Sequence, residues 1–187
     1  MKNIFIALFL VLTTLTVQAQ KKEKKGNKEA PQEVFVIDST KVTTLDKTIK
    51  TLYNTISGEK GEKRNWEQFK FLFHKDAKLI PSGKNKNKDY IAKYMSPSDY
   101  VKASGTWLTE NGFFEKEIHR EVQKFGNIAQ VFSTYEAFYS NSDEQPFMRG
   151  INSIQLMNDG ERWWILNVFW TQETEDNPIP EKYLPKK

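Results

Sequence analysis

Between residues 115 and 136 the chain sets carboxylates, a histidine and an arginine at close spacing: Glu115, Glu117, His119, Arg120, Glu121 and, beyond a turn, Glu136. A free imidazole changes charge near neutral pH and a carboxylate can also carry a proton, so His119 and Glu136 are the alternative candidates for a general acid or base. Imidazole and carboxylate also bind metals. Side chains along one strand face splay apart, however, and His74 is the one other histidine, with no H-x-x-x-H spacing, so no metal is expected. The chain has no cysteine, which excludes a thiol nucleophile, a disulfide and a thiolate metal site.

The dipeptide Gly126-Asn127 between two apolar runs predicts a two-residue hairpin turn. That pairing puts Phe114, Ile118, Val122, Ala129, Val131, Ser133 and Tyr135 on one face with Arg120. Glu115, Glu117, His119, Glu121, Thr134 and Glu136 then fall on the other. The first face is the more apolar and is expected to meet the helices. Arg120, Ser133 and Tyr135 become polar groups in an apolar interior, the usual make-up of a small-molecule pocket. A place for Arg120 at the sheet rim, paired with a surface carboxylate, has an equal claim.

A second hairpin joins 149–157 to 162–170 through Asn158-Asp159-Gly160. Centred on Asp159-Gly160, it groups Trp170 with Arg149, Ile151, Ser153, Leu166 and Val168, with Asn152 the alternative donor if the register slips. Trp163 and Trp164 must point to opposite sides of the sheet. No phosphate loop, dinucleotide fingerprint, G-x-S-x-G or H-E-x-x-H occurs. The Lys84-Lys86-Lys88 loop lacks interleaved aromatics, so no nucleic acid is expected.

The elements that must position these residues are legible in the periodicity. Leu45, Ile49, Leu52, Tyr53 and Ile56 share one face of a helix ending near Gly58. Asn65 and Gln68 form a capping-box pattern before a helix burying Trp66, Phe69, Leu72 and Phe73. Residues 77–80 predict a short strand stopped by Pro81, and 82–88 a polar loop. Ser96-Pro97-Ser98-Asp99 opens a short third helix through about Ser104. Strands then follow over 113–125 and 128–139, a polar loop over 140–146, and the closing hairpin. Helices followed by an antiparallel meander make an α+β domain.

The first 19 residues read as a secretory signal peptide, with an apolar run over 4–12 and small residues before position 20. That run is shorter than the roughly 20 residues of a bilayer span, so no stable membrane span is expected after cleavage. Residues 20–42 read as a disordered basic leader, 43–174 as one domain and 175–187 as a tail. The net charge of +4 is carried largely by peripheral lysines.

The helix-strand passage 66–81, Gly126-Asn127-Ile128-Ala129 with 131–136, the run 149–156, and Asp159-Gly160 with Trp163, Trp164 and Trp170 together resemble the nuclear transport factor 2-like superfamily, in particular its SnoaL-like branch. The resemblance spans about 44–173. It implies a cone-shaped curved antiparallel sheet wrapped around N-terminal helices, with an internal cavity, and a homodimer built from the outer sheet face. Members include isomerases, dehydratases, cyclases, hydrolases and binding domains, so the fold locates a site without naming its chemistry. In the ketosteroid isomerase branch the catalytic aspartate precedes a proline, where this chain has Ile80. Tyr53 lies near that branch's tyrosine, and its protonated acid falls at Asn152 or Ser153.

The candidate cavity residues are thus Tyr53, Trp107, Arg120, Ser133, Tyr135, Arg149, Asn152, Ser153 and Trp170. The expected protein is an exported domain binding a small, largely apolar molecule without a cofactor. The alternatives are an isomerase, dehydratase or hydrolase using general acid-base chemistry, and a non-catalytic structural or interaction domain. A cavity filled by the rings of Tyr53, Trp107 and Trp170 would exclude both small-molecule readings.

Overall fold

A computed structural model describes residues 35–186. The expected signal peptide and the leader up to residue 34 lie outside the described residues. The last leader residues are ordered: Ser39–Val42 form a 3-10 turn, and Val42 is 1% exposed in the core. The domain therefore starts several residues before position 43, because Val42 supplies apolar burial and the Asp38 amide donates to Gln68 Oε1 at 2.7 Å.

Helix α1 (Leu45–Ile56) is capped by Thr44, whose hydroxyl accepts from the Lys47 amide, and it buries Ile49, Leu52, Tyr53 and Ile56. Helix α2 (Trp66–Phe71) is capped by Asn65. The Gln68 side chain does not return to close the expected capping box, since it is engaged by Asp38. Helix α3 (Pro97–Asn111) has the full box between Ser96 and Asp99 and runs well beyond Ser104. Gly105 allows the extension, since a Cβ there would meet the Trp66 ring at 3.3 Å.

The sheet contains β1 (Phe73–Lys84), β2 (Tyr90–Ala92), β3 (Phe114–Phe125), β4 (Ile128–Phe138), β5 (Met148–Asn158) and β6 (Trp163–Gln172), in the order β2-β1-β6-β5-β4-β3. It is mixed rather than wholly antiparallel, because β1 pairs parallel with β6. Pro81 does not stop β1. It sits opposite Trp170 within the strand, and its carbonyl accepts from the Lys93 amide. The unclosed sheet and the three helices form the expected α+β cone. Its core joins α1, α2 and α3 to the inward residues of β1, β4, β5 and β6.

Two bulges decide which side chains face inward. Phe125 pairs with Ile128 as the two-residue turn predicts, and this register holds back to Arg120 opposite Ser133. Between Glu117 and His119 one extra residue, Ile118, enters β3, so Glu117 pairs with Tyr135 and Glu115 with Ala137. Successive strand residues alternate faces, so one insertion reverses everything beyond it. Glu115 and Glu117 turn inward, and Phe114 leaves the interior face. In the closing hairpin the loop holds four residues, since Asn158 pairs with Trp163, and Leu166 is the extra residue that sets Asn152 opposite Trp170.

Candidate functional site

Within the cone lies a cavity of about 200 Å³. Its apolar walls come from Leu52 and Ile56 on α1, Phe69 on α2, Leu79 on β1, Leu108 on α3 and Val168 on β6. Tyr100, Ser104 and Trp107 reach it from α3, Tyr135 from β4, Asn152 from β5 and Trp170 from β6. Among the described residues the carboxyl of Glu115 is the one acidic group lining it. Trp107 is 44% exposed, the most open of the lining residues, and marks the mouth.

Glu115 accepts a hydrogen bond from Asn152 Nδ2 at 3.0 Å. Burial pushes its carboxyl up to about 7, and the Asn152 bond partly opposes that shift. The same amide nitrogen donates to the Tyr53 hydroxyl at 3.1 Å, which lies 2.7 Å from Ser133 Oγ. Ser133 in turn donates to Glu117. A carboxylate at the end of the chain orders every proton in it: Asn152 gives to Tyr53, Tyr53 to Ser133, Ser133 to Glu117. The phenol proton of Tyr53 is therefore committed away from the cavity. Tyr100 and Tyr135 differ, because neither hydroxyl has a hydrogen-bond partner among the described residues. Burial holds both well above the usual phenol value, with the Glu115 charge adding to the effect.

The candidates read from the sequence separate cleanly in space. Tyr135, Asn152, Trp107 and Trp170 line the cavity; Tyr53 and Ser133 stand immediately behind Asn152. Arg120 is at the rim, where Nε donates to Glu117 Oε1 at 2.8 Å and Nη1 pairs with Asp46 of α1. Arg149 points to the outer face and holds Glu173 through two bonds of 2.7 and 3.1 Å. Ser153 also faces outward, beside Phe169 and the C-terminal segment. Both residues were expected on the Trp170 face, and the Leu166 bulge is what separates them from it. His119 lies outside the cavity with Glu121 3.4 Å away, and Glu136 sits on the outer face opposite Arg149.

Sequence reasoning missed Glu115, Tyr100 and Ser104. Nothing local marks Ile118 as an inserted residue, so Glu115 was expected on the outer face, and the third helix was expected to end near Ser104, short of Trp107. It also missed Arg64, 4% exposed, whose guanidinium donates to the carbonyls of Ile56, Gly58, Glu59, Glu62 and Leu108. That fork ties the end of α1 to α3 and so shapes the cavity wall.

Among solved structures the fold is similar to an NTF2-like protein of unknown function from Pseudomonas putida KT2440, with a TM-score of 0.54, 10% identity, and coverage of 81% of this chain and 99% of that one. It is similar also to the beta subunit of a candidate aromatic-ring-hydroxylating dioxygenase from Novosphingobium aromaticivorans (TM-score 0.53, 15% identity, 72% and 94% covered). A candidate scytalone dehydratase from the same organism matches with a TM-score of 0.50 and 13% identity, over 69% and 81%. No family model and no curated protein matches the chain. The chain has the nuclear transport factor 2-like fold.

Proposed function

We propose that this is an exported small-molecule-binding domain whose cavity takes a compact, largely apolar molecule, with the ligand's polar group set against Glu115, Tyr100 and Tyr135. The observation that carries the reading is an unfilled cavity with apolar walls on which a carboxyl and two unpartnered phenols converge. Its size sets the scale of the ligand. A cavity of about 150 Å³ holds a benzene ring, so about 200 Å³ suits a single ring with a small substituent. Export is supported by the apolar run at 4–12 and the small residues before position 20. Native mass spectrometry of protein purified from its exported fraction is expected to show a co-purifying small molecule. Recovery of the bare chain alone, with no change in unfolding temperature across a panel of single-ring compounds, would sink the proposal.

A second reading, acid-base turnover, is favoured by one observation. A carboxyl pushed up to about 7 can both take and give a proton near neutral pH, and the Tyr100 and Tyr135 hydroxyls could stabilise an oxyanion formed beside it. Under this reading Glu115→Gln keeps ligand binding and loses turnover by about a hundredfold or more. Turnover that survives the substitution would rule Glu115 out as the acid or base.

A further inference from the structure

The carboxyl of Glu115 has no cationic partner among the described residues. Among the described residues no lysine, arginine or histidine lines the cavity. The nearest guanidinium on the same strand, Arg120, is occupied by Glu117 and Asp46. The titratable groups that face Glu115 from the surrounding elements are the phenols of Tyr53 on α1, Tyr100 on α3 and Tyr135 on β4, together with Glu117 on its own strand. None of these supplies positive charge. What surrounds the acid instead is aromatic. Tyr100 stacks on Phe69 at 5.4 Å and meets Trp170 edge-on at 6.4 Å, and Trp107 lies 6.3 Å from Phe113, all five rings lining the same space as Tyr135. Ring faces carry negative potential and attract cations, most strongly where water is excluded.

We infer that the ligand is a small organic cation, an amine or quaternary ammonium group on a compact apolar body, held between the Glu115 carboxylate and the rings of Tyr100, Trp107 and Trp170. A neutral apolar molecule would use the walls but leave the acid unmatched. An anion would face a carboxylate and ring faces of the same sign. An amine meets both, and its N–H groups can donate to Glu115 while its charge lies against the rings. This inference rests on the cavity being a ligand site, as proposed above, and adds the charge of the ligand.

Benzylamine and benzyl alcohol have nearly the same size and differ in charge, so they isolate the claim. Binding to the full mature chain is measured at pH 8 by calorimetry and by quenching of tryptophan fluorescence. Benzylamine is expected to bind about tenfold or more tighter than the alcohol. Glu115→Gln, which removes charge and keeps shape, is expected to abolish that preference while alcohol binding persists. Trp107→Leu, which keeps the acid, is expected to reduce the preference severalfold. Equal or tighter binding of the alcohol to the native chain overturns the inference and leaves the cavity reading standing, as does a preference unchanged in both variants. Failure of both compounds to bind overturns the inference and counts against the cavity reading as well.

Discussion

A carboxyl that must shed water to enter an apolar cavity is easier to protonate in the folded chain than in the unfolded one. At Glu115 the value rises from 4.5 to about 7. The folded state then holds more protons than the unfolded state between those limits, so this group's contribution to stability is fully present below about 4.5 and is lost as pH rises to about 7. Glu115→Gln is therefore expected to stabilise the fold at pH 8, by roughly 1–3 kcal/mol, and to change little at pH 4. Urea unfolding of both chains at the two pH values measures this, and an equal effect at both would refute the assignment. Asn152 acts in the opposite sense, since its amide favours the ionised acid. Asn152→Ala removes donors from both Glu115 and Tyr53. It should cost about 1–3 kcal/mol and move the Glu115 titration, followed by NMR, further upward.

Strands and helices set which of these groups meet. The Ile118 and Leu166 bulges bring Glu115 and Asn152 to the same inner surface, and the long α3 carries Tyr100, Ser104 and Trp107 across from them. Gly150 on β5 makes room for Tyr135, because a Cβ there would lie 2.5 Å from both the Tyr135 hydroxyl and the Thr171 carbonyl. Gly150→Ala is expected to destabilise the domain by about 1–3 kcal/mol through overpacking and to displace the Tyr135 ring, which weakens ligand binding in the same calorimetric assay. Arg64 tests the helix frame. A lysine keeps the charge but has no planar fork to reach five carbonyls. Arg64→Lys should cost about 2–3 kcal/mol in urea unfolding, and a cost near zero would show that the fork is dispensable.

At the scale of the whole domain, residues 174–186 cross the outer sheet face. Ile179 is buried, the Tyr183 ring lies 4.9 Å from Phe132, and the Thr134 hydroxyl donates to the Tyr183 carbonyl at 2.6 Å. Glu173, held by Arg149, accepts from the Ile179 amide and anchors the start of this segment. The homodimer implied by the family resemblance is a proposal that must accommodate it, because the segment occupies part of the same face. Removing residues 176–187 exposes more of Phe132 and Phe169. It is expected to lower the unfolding temperature by several degrees and to strengthen self-association in sedimentation velocity. The sedimentation coefficient of a monomer at every concentration in both chains would remove the dimer proposal.

Local sequence by itself determined the helices and most strands. Thr44, Asn65 and Ser96 cap helices because their side-chain oxygens reach free amides within the same turn, and Gly126-Asn127 closes its hairpin because that dipeptide accepts the backbone angles of a tight turn. These are interactions between near neighbours, so their signal is written in adjacent residues. The identity of the acid in the cavity is a different kind of fact. With a side-chain period of two, a single inserted residue exchanges the faces of a strand, and whether Ile118 is inserted depends on how β3 bends over α1 and pairs with β4. The same holds for Leu166, for the passage of β1 through Pro81 alongside β6, and for the length of α3. Sheet curvature and packing between distant segments decided those, and with them the placement of Glu115, rather than His119 or Arg120, inside the cone.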